Sequence, residues 1–329
     1  VDKQTFLNAY NYTLTMQQYY AQMLQQFGGD GTVDEASILQ STLDNHISSL
    51  VLSQKAKELG FDQFTDAELA ELQAQAQEEY DTQLESIRTT YFADSELEGD
   101  ALTAEVTAYA KANGYTLDYQ LDTAKSNKIS ERLKASVTDT VTITDDDLQA
   151  ALDKEVASEK ETFASTPAAY GTRVNAGTTV YYTPAGYRTI RVISVDKPTE
   201  EGASSDEAKQ QIDALYLRLT AGEAFETLTE DVKTYAICAD STTPEADVVA
   251  AAMQLTDALS YTKVLETEKA FYLAQLVEEL PEHTATLEEA RATLYDATLT
   301  DAQDTAYNET VQGWINAADV KTYTERLSD

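Results

Sequence analysis

Tyr187-Arg188-Thr189-Ile190-Arg191-Val192-Ile193-Ser194-Val195 decides the fold class, because β-branched residues alternate along it as in a strand with two occupied faces. Pro184 and Gly186 punctuate its start, and Pro198 its end. After Glu200 to Ser205, the residues Ala208, Ile212, Leu215 and Leu219 recur at helical spacing, and Gly222 reads as the C-cap of that helix. Phe225, Leu228 and Val232 predict the apolar face of a further helix. A strand followed by amphipathic helices makes this an α+β unit.

Outward from that stretch, four segments in order resemble a parvulin-type peptidyl-prolyl isomerase. Tyr187 to Val195 resembles its first strand. Ala208 through Leu219-Thr220-Ala221-Gly222-Glu223-Ala224-Phe225-Glu226-Thr227-Leu228 is similar to its long helix ending in L-x-x-G-x-x-F-x-x-L. Ala251-Ala252-Met253-Gln254-Leu255 with Leu259-Ser260 resembles its A-A-F-x-L…I-S segment, and Lys269 to Leu276 its last strand, F-G-Y-H-I-I-K-V. The resemblance runs from about Tyr187 to Pro281. It implies a parvulin-like, FKBP-like α+β domain with altered site positions. Arg191 stands where the first-strand histidine usually is, Tyr272 where the last-strand histidine is, and Cys238 near the family's Cys/Asp position. Only Ser241-Thr242-Thr243 is available where the glycine-rich segment precedes Pro244. No catalytic residue is therefore expected.

Composition narrows the partners. A formal charge of −35 repels phosphate backbones and anionic headgroups, which disfavours nucleic-acid binding and polybasic membrane association. Hydrophobic residues at 42%, with 20 Tyr and 8 Phe, are too many for an acidic disordered tail, so the chain is expected to fold. The single cysteine, Cys238, excludes an intramolecular disulfide and a multi-thiolate metal site, and reads as a small buried residue. The longest clearly apolar run, Val248 to Met253, is far short of the ~20 residues that a span needs. A first residue of Val1 reads as though an export signal or a tag had been removed.

The N-terminal part reads as helical throughout. Tyr12, Met16, Tyr19, Tyr20, Met23 and Phe27 mark one stripe, which by its residue types reads first as core. Leu43, Ile47, Leu50, Val51 and Leu59 mark a second helix, closed by Gly60. Thr65-Asp66-Ala67-Glu68 is a capping box for a third, whose stripe includes Tyr80. Helices around Leu102 to Tyr109 and from Thr116 to Val137 follow, and Thr144 with Asp145-Asp146-Asp147 reads as another helix start. Between Phe163 and Tyr187 the sequence predicts a linker with one strand at Thr179 to Tyr182. Beyond Pro281 it predicts one or two long helices anchored by Trp314, then a terminal strand at Val320 to Tyr323.

Ala112-Asn113-Gly114-Tyr115-Thr116-Leu117-Asp118-Tyr119 and Val141-Thr142-Ile143-Thr144-Asp145-Asp146-Asp147-Leu148 resemble the G-Y-T…E-Y…V-T-V-T-D-E-E-L order of SurA/PrsA-type foldases. Tyr10-Asn11-Tyr12 is similar to their F-N-Y helix start. These are exported chaperones carrying a parvulin domain. The resemblance implies a mainly helical α+β chain with a discontinuous SurA-N-like chaperone domain, residues 1–165 completed by 282–329. The parvulin-like domain, 178–281, is inserted. It further implies unfolded or nascent exported proteins as partners, a bacterial cell-envelope location on the extracellular face of the membrane, and membrane contact only through an N-terminal lipid anchor.

Enzyme chemistry finds little support. His46 and His283 have no second histidine at metal-ligand spacing, and each reads as satisfied or solvated. There is no GxSxG elbow, P-loop or GxGxxG turn, and neither a metal nor a cofactor is expected. Tyr12, Met16, Tyr19, Met23 and Tyr80 are the candidate client-binding residues, since adaptable apolar side chains suit unfolded segments. Two other readings stay open: an active isomerase, and a helical surface scaffold that holds no client.

Overall fold

The computed structural model describes residues 2–200 and 204–323. The chain is mainly helical with small antiparallel sheets, and it divides into two compact units, Val1–Thr142 with Asp301–Asp329, and Ile143–Thr300.

The first unit begins with α1 (Lys3–Gln26), α2 (Glu35–Glu58), α3 (Asp66–Tyr91), α4 (Gly99–Ala112) and α5 (Leu117–Thr138). Each start except that of α4 has a side chain accepting an otherwise unpaired backbone N–H: Asp2 from Thr5, Asp34 from Ser37, Thr65 from Glu68 and Thr116 from Tyr119. The capping box expected at Thr65 and Glu68 is present. Glu68 also receives the Arg132 guanidinium from α5, while Arg132 Nη1 donates to the carbonyls of Phe61 at 3.0 Å and Gln63 at 2.8 Å. One arginine thus fastens the α2–α3 turn to α5. The Thr65 backbone N–H, and then Arg132, hold the Glu68 carboxyl below the usual carboxylate range.

Helix α1 packs on α2 alone of its neighbouring helices to any extent, and buries only Phe6 and Ala21. The stripe of Tyr12, Tyr19, Tyr20, Met23 and Phe27, which reads as core in the sequence, is exposed. One neighbour covers one face, and this stripe lies on the other.

The second unit contains α6 (Asp145–Ser165), α7 (Ala168–Asn175), β1 (Tyr182–Thr183), β2 (Tyr187–Asp196), α8 (Asp206–Thr220), β3 (Lys233–Ile237), α9 (Ala246–Ala252), β4 (Leu265–Glu266), β5 (Ala270–Leu280) and β6 (His283–Thr284). It also takes the first part of α10 (Leu287–Ala317). Thr144 and Asp147 form a capping box at the start of α6, in keeping with the helix start read at the three aspartates. Helix α6 packs Leu148, Leu152 and Val156 against Ala290 and Leu294 of α10.

The main sheet has the antiparallel order β3-β2-β5-β4. Ile190, Val192, Tyr272, Ala274 and Leu276 face Val248, Val249 and Ala252 of α9. Ile193, Phe271 and Leu273 face Ala208, Ile212 and Leu219 of α8, joined by Phe225 and Leu228. First strand, long helix, short α9 segment and last strand follow the order that the parvulin resemblance implies. The helix expected after Gly222 is only a single 3-10 turn, Phe225–Thr227, although its two anchors are buried. No strand forms at Val320 to Tyr323, and the strand expected at Thr179 to Tyr182 is the two-residue β1, paired with β6.

Helix α7 occupies what the sequence reads as linker. It covers the free edge of β3: Asn175 Oδ1 accepts from the Ala236 N–H at 2.7 Å, and Nδ2 donates to the Ala236 carbonyl at 3.1 Å. The approach is so close that a Cβ on Gly171 would lie 2.5 Å from the Ala236 oxygen. Gly171→Ala should therefore lower stability by about 1–3 kcal/mol, read as an earlier urea midpoint. An unchanged midpoint would mean that α7 does not hold this position.

A buried carboxylate joins the same elements. Glu159 on α6, 2% exposed, accepts backbone N–H groups from Tyr181 at 2.7 Å and Tyr182 at 2.8 Å, and faces Arg173 of α7 at 3.4 Å. Nothing in the sequence separates it from the other acidic residues.

Candidate binding groove

Leu43, Ile47, Leu50, Val51, Gln54 and Glu58 lie at helical spacing on one face of α2, and in the first unit that face floors a groove of about 820 Å³. Phe6 of α1 contributes from one side. Trp314 of α10 and the segment Ala317 to Tyr323 contribute from another. Leu50 is half exposed, so the apolar stripe that marks α2 is in part an open surface.

The charges on the groove are balanced, unlike those of the chain. Asp2, Glu58 and Asp319 stand with Lys3, Lys55 and Lys321. Lys55 pairs with Glu58 at 3.1 Å and Lys321 with Asp319 at 3.8 Å, while Asp2 is engaged in capping α1. Lys55 Nζ also sits 5.8 Å from the centre of the Trp314 ring. Trp314, expected as an enclosed core anchor, is half-buried and forms part of the groove wall. His46 differs from its expected satisfied role: its ring lies 5.7 Å from that of Phe6, and its buried Nε2 finds no hydrogen-bond partner among the described residues.

None of the five client-binding candidates lines this groove. Tyr12, Tyr19 and Met23 are exposed on the outer face of α1, whereas Met16 on α1 and Tyr80 on α3 are partly buried. Residue type drew attention to the aromatic and Met stripe. The groove floor instead takes its apolar surface from Leu43, Ile47, Leu50 and Val51, whose pattern on α2 is indistinguishable from that of a buried helix face.

The three parvulin-site positions are not brought together either. Strand pairing sets Arg191 opposite Gln275 and Tyr272 opposite Ser194, so Arg191 and Tyr272 point to opposite faces of the sheet. Arg191 bonds Glu226 at 3.2 Å. Tyr272 lies under α9 with its hydroxyl on Glu245; burial first, and then that carboxylate, push its pKa up to about 12. Cys238 is 5% exposed, packed with Phe163, Tyr170, Tyr187 and Ala236. Its N–H donates to Ser241 Oγ at 3.0 Å, and the Tyr170 ring meets those of Phe163 and Tyr187 edge-on at 5.6 and 4.6 Å. Among the described residues no cluster of His, Cys, Asp and Glu is placed to hold a metal, and no helix is long and apolar enough to cross a membrane.

The chain is similar to PrsA foldases and to a SurA-like chaperone. Against the foldase PrsA of Streptococcus pneumoniae the identity is 16%, with 88% of each chain covered and a TM-score of 0.24. Against PrsA of Bacillus subtilis it is 17%, with 88% of this chain and 87% of that one covered and a TM-score of 0.24. A SurA-like chaperone of Campylobacter jejuni is 16% identical, with 79% of this chain and 96% of that one covered and a TM-score of 0.34. No protein-family model matches the sequence, and neither does any curated protein. At these identities and scores the likeness assigns no residue a role.

Proposed function

We propose that the chain is an exported folding chaperone that holds unfolded segments in the groove between α1, α2 and the end of α10, and that its parvulin-like sheet does not catalyse prolyl isomerisation. The groove carries this reading. Its size suits a few apolar side chains, its floor presents Leu43, Ile47, Leu50 and Val51, and its three acidic and three basic residues balance. An unfolded segment entering it meets apolar surface rather than the net charge of −35.

Uncatalysed X-Pro isomerisation crosses a barrier near ~20 kcal/mol, and lowering it requires a cleft that holds the proline and desolvates or twists its amide. Here Arg191 and Tyr272 face opposite sides of the sheet, and Cys238 is packed beneath Tyr170 of α7. A peptide in reach of one has no access to the others. The wild-type chain should accelerate isomerisation of X-Pro peptides by less than about twofold, and Arg191→His/Tyr272→His should not restore activity, because the substituted rings still lie on opposite faces. Strong turnover by the wild type would favour the isomerase reading. Delayed aggregation of an unfolded protein by the full chain supports the chaperone, and no delay at stoichiometric amounts supports a scaffold. Location at the bacterial envelope, and attachment there through an N-terminal lipid, belong to the same proposal; fractionation of the producing cells tests both.

A further inference from the structure

From Tyr91 to Tyr119 the sequence holds five aromatic residues, Tyr91, Phe92, Tyr109, Tyr115 and Tyr119, among six acidic residues and a single basic one, Lys111. The fold gathers four of the rings. Ile87 of α3 packs on Val106 and Ala110 of α4, which lays Tyr109 against the end of α3: its ring lies 5.0 Å from that of Tyr91 and 5.8 Å from that of Phe92. Gly114, at φ 83°, turns the chain back after α4, and the Tyr115 N–H donates to the Ala110 carbonyl at 2.9 Å. Tyr115 thereby joins Tyr91 beside the Tyr109 phenol, whose pKa is pushed up by burial first and then by those two neighbours.

The patch is open and holds no cation. Tyr91 is 62% exposed, Tyr115 39%, and Tyr119, in the first turn of α5, 55%. Lys or Arg stands over five other rings of the described residues and over none of these. Lys111 follows Tyr109 by two residues, about 200° round α4, and Arg88 is engaged by Glu85 at 3.4 Å. Asp94, Glu96, Glu98 and Asp100, which lead from Phe92 into α4, and Asp118 next to Tyr119 are all exposed and form no ion pair among the described residues.

We infer that this patch binds arginine side chains of an extended polypeptide segment. Aromatic faces attract a cation, and the planar guanidinium stacks on them better than an ammonium does. The carboxylates are spread along the turn into α4, so they complement several cations strung along a chain rather than one small ion. A neutral apolar segment would have to desolvate these carboxylates without pairing them. The inference rests on the chaperone reading for the source of the segment, an unfolded client, and adds a site for basic stretches that the charge-balanced groove does not favour.

Fluorescence anisotropy of the full chain with labelled Gly-Ser peptides carrying three Arg, three Lys or three Glu tests it. The Arg peptide should bind with a dissociation constant on the order of tens of micromolar, at least roughly threefold tighter than the Lys peptide, and the Glu peptide should not bind. Tyr91→Leu/Tyr115→Leu changes no charge and should weaken the Arg peptide at least roughly fivefold with unchanged helical circular dichroism. Glu96→Gln/Glu98→Gln should also weaken it, whereas Glu78→Gln/Glu79→Gln, the same change of charge ~18 Å back along α3, should not. If the tyrosine variant fails to fold, this pair of glutamine variants decides. No binding, an Arg peptide held no tighter than the Lys peptide, an unaffected folded tyrosine variant, or equal weakening by both glutamine pairs would each overturn the inference. Peptide binding without protection of an unfolded protein would count against the chaperone reading and leave the site standing; protection without peptide binding would remove the site alone.

Discussion

Replacing Glu159 with Ala should destabilise the unit Ile143–Thr300 by about 3–5 kcal/mol, measured by urea unfolding. The side chain is almost fully enclosed and has three partners: the N–H groups of Tyr181 and Tyr182, which begin the path into β1, and Arg173 of α7. Truncation leaves two backbone donors without an acceptor, while the partly exposed Arg173 can turn to water. Each unmade backbone hydrogen bond costs about 1–3 kcal/mol. Glu159→Gln is the informative control. Its amide keeps one acceptor oxygen but turns an N–H₂ toward a second donor, so it should lose less than Ala and still lose more than about 1 kcal/mol. If both variants unfold with the wild-type midpoint, the carboxylate does not hold α6, α7 and β1 together.

Leu50→Glu/Val51→Glu should abolish client protection while leaving the fold in place. Leu50 is half exposed and Val51 partly buried, both on the groove side of α2, and glutamate is a good helix former. The fold therefore loses little. A client side chain that enters the groove, however, must then desolvate a carboxylate newly placed on its floor, where Lys55 already pairs with Glu58 and Lys321 with Asp319. The expected loss in affinity for an unfolded client is at least roughly tenfold. Leu217→Glu, a change of similar size on the exposed side of α8 in the other unit, should leave protection unchanged.

Local chemistry made part of this architecture readable from residues alone. The strand from Tyr187 to Val195, the helix closed by Gly222 and the capping boxes at Thr65 and Thr144 each carry their signal within a few residues, and each is present. Helix α7 was hidden because its glycine and asparagine are there for β3, a strand more than fifty residues away. The exposure of α1 was hidden for a related reason: a helical stripe of Tyr and Met specifies a face, and only the number of neighbouring helices decides whether that face is covered. The α2 stripe had the same outcome at Leu50, an apolar position left open. Arg191 and Tyr272 align with one family position each, but their opposite facing depends on the register between β2 and β5, which neither strand states by itself.

The location of the client is the central claim, and site-specific photocrosslinking tests it most directly. A photoreactive group placed at residue 50, at residue 314 and at residue 217 in separate full-length chains would be irradiated with an unfolded protein present. Residues 50 and 314 line the groove, and Leu217 is an exposed apolar residue away from it. Strong crosslinking to the client from 50 and 314, with little from 217, is the predicted result. Equal yields from all three, or client captured only from 217, would contradict the account.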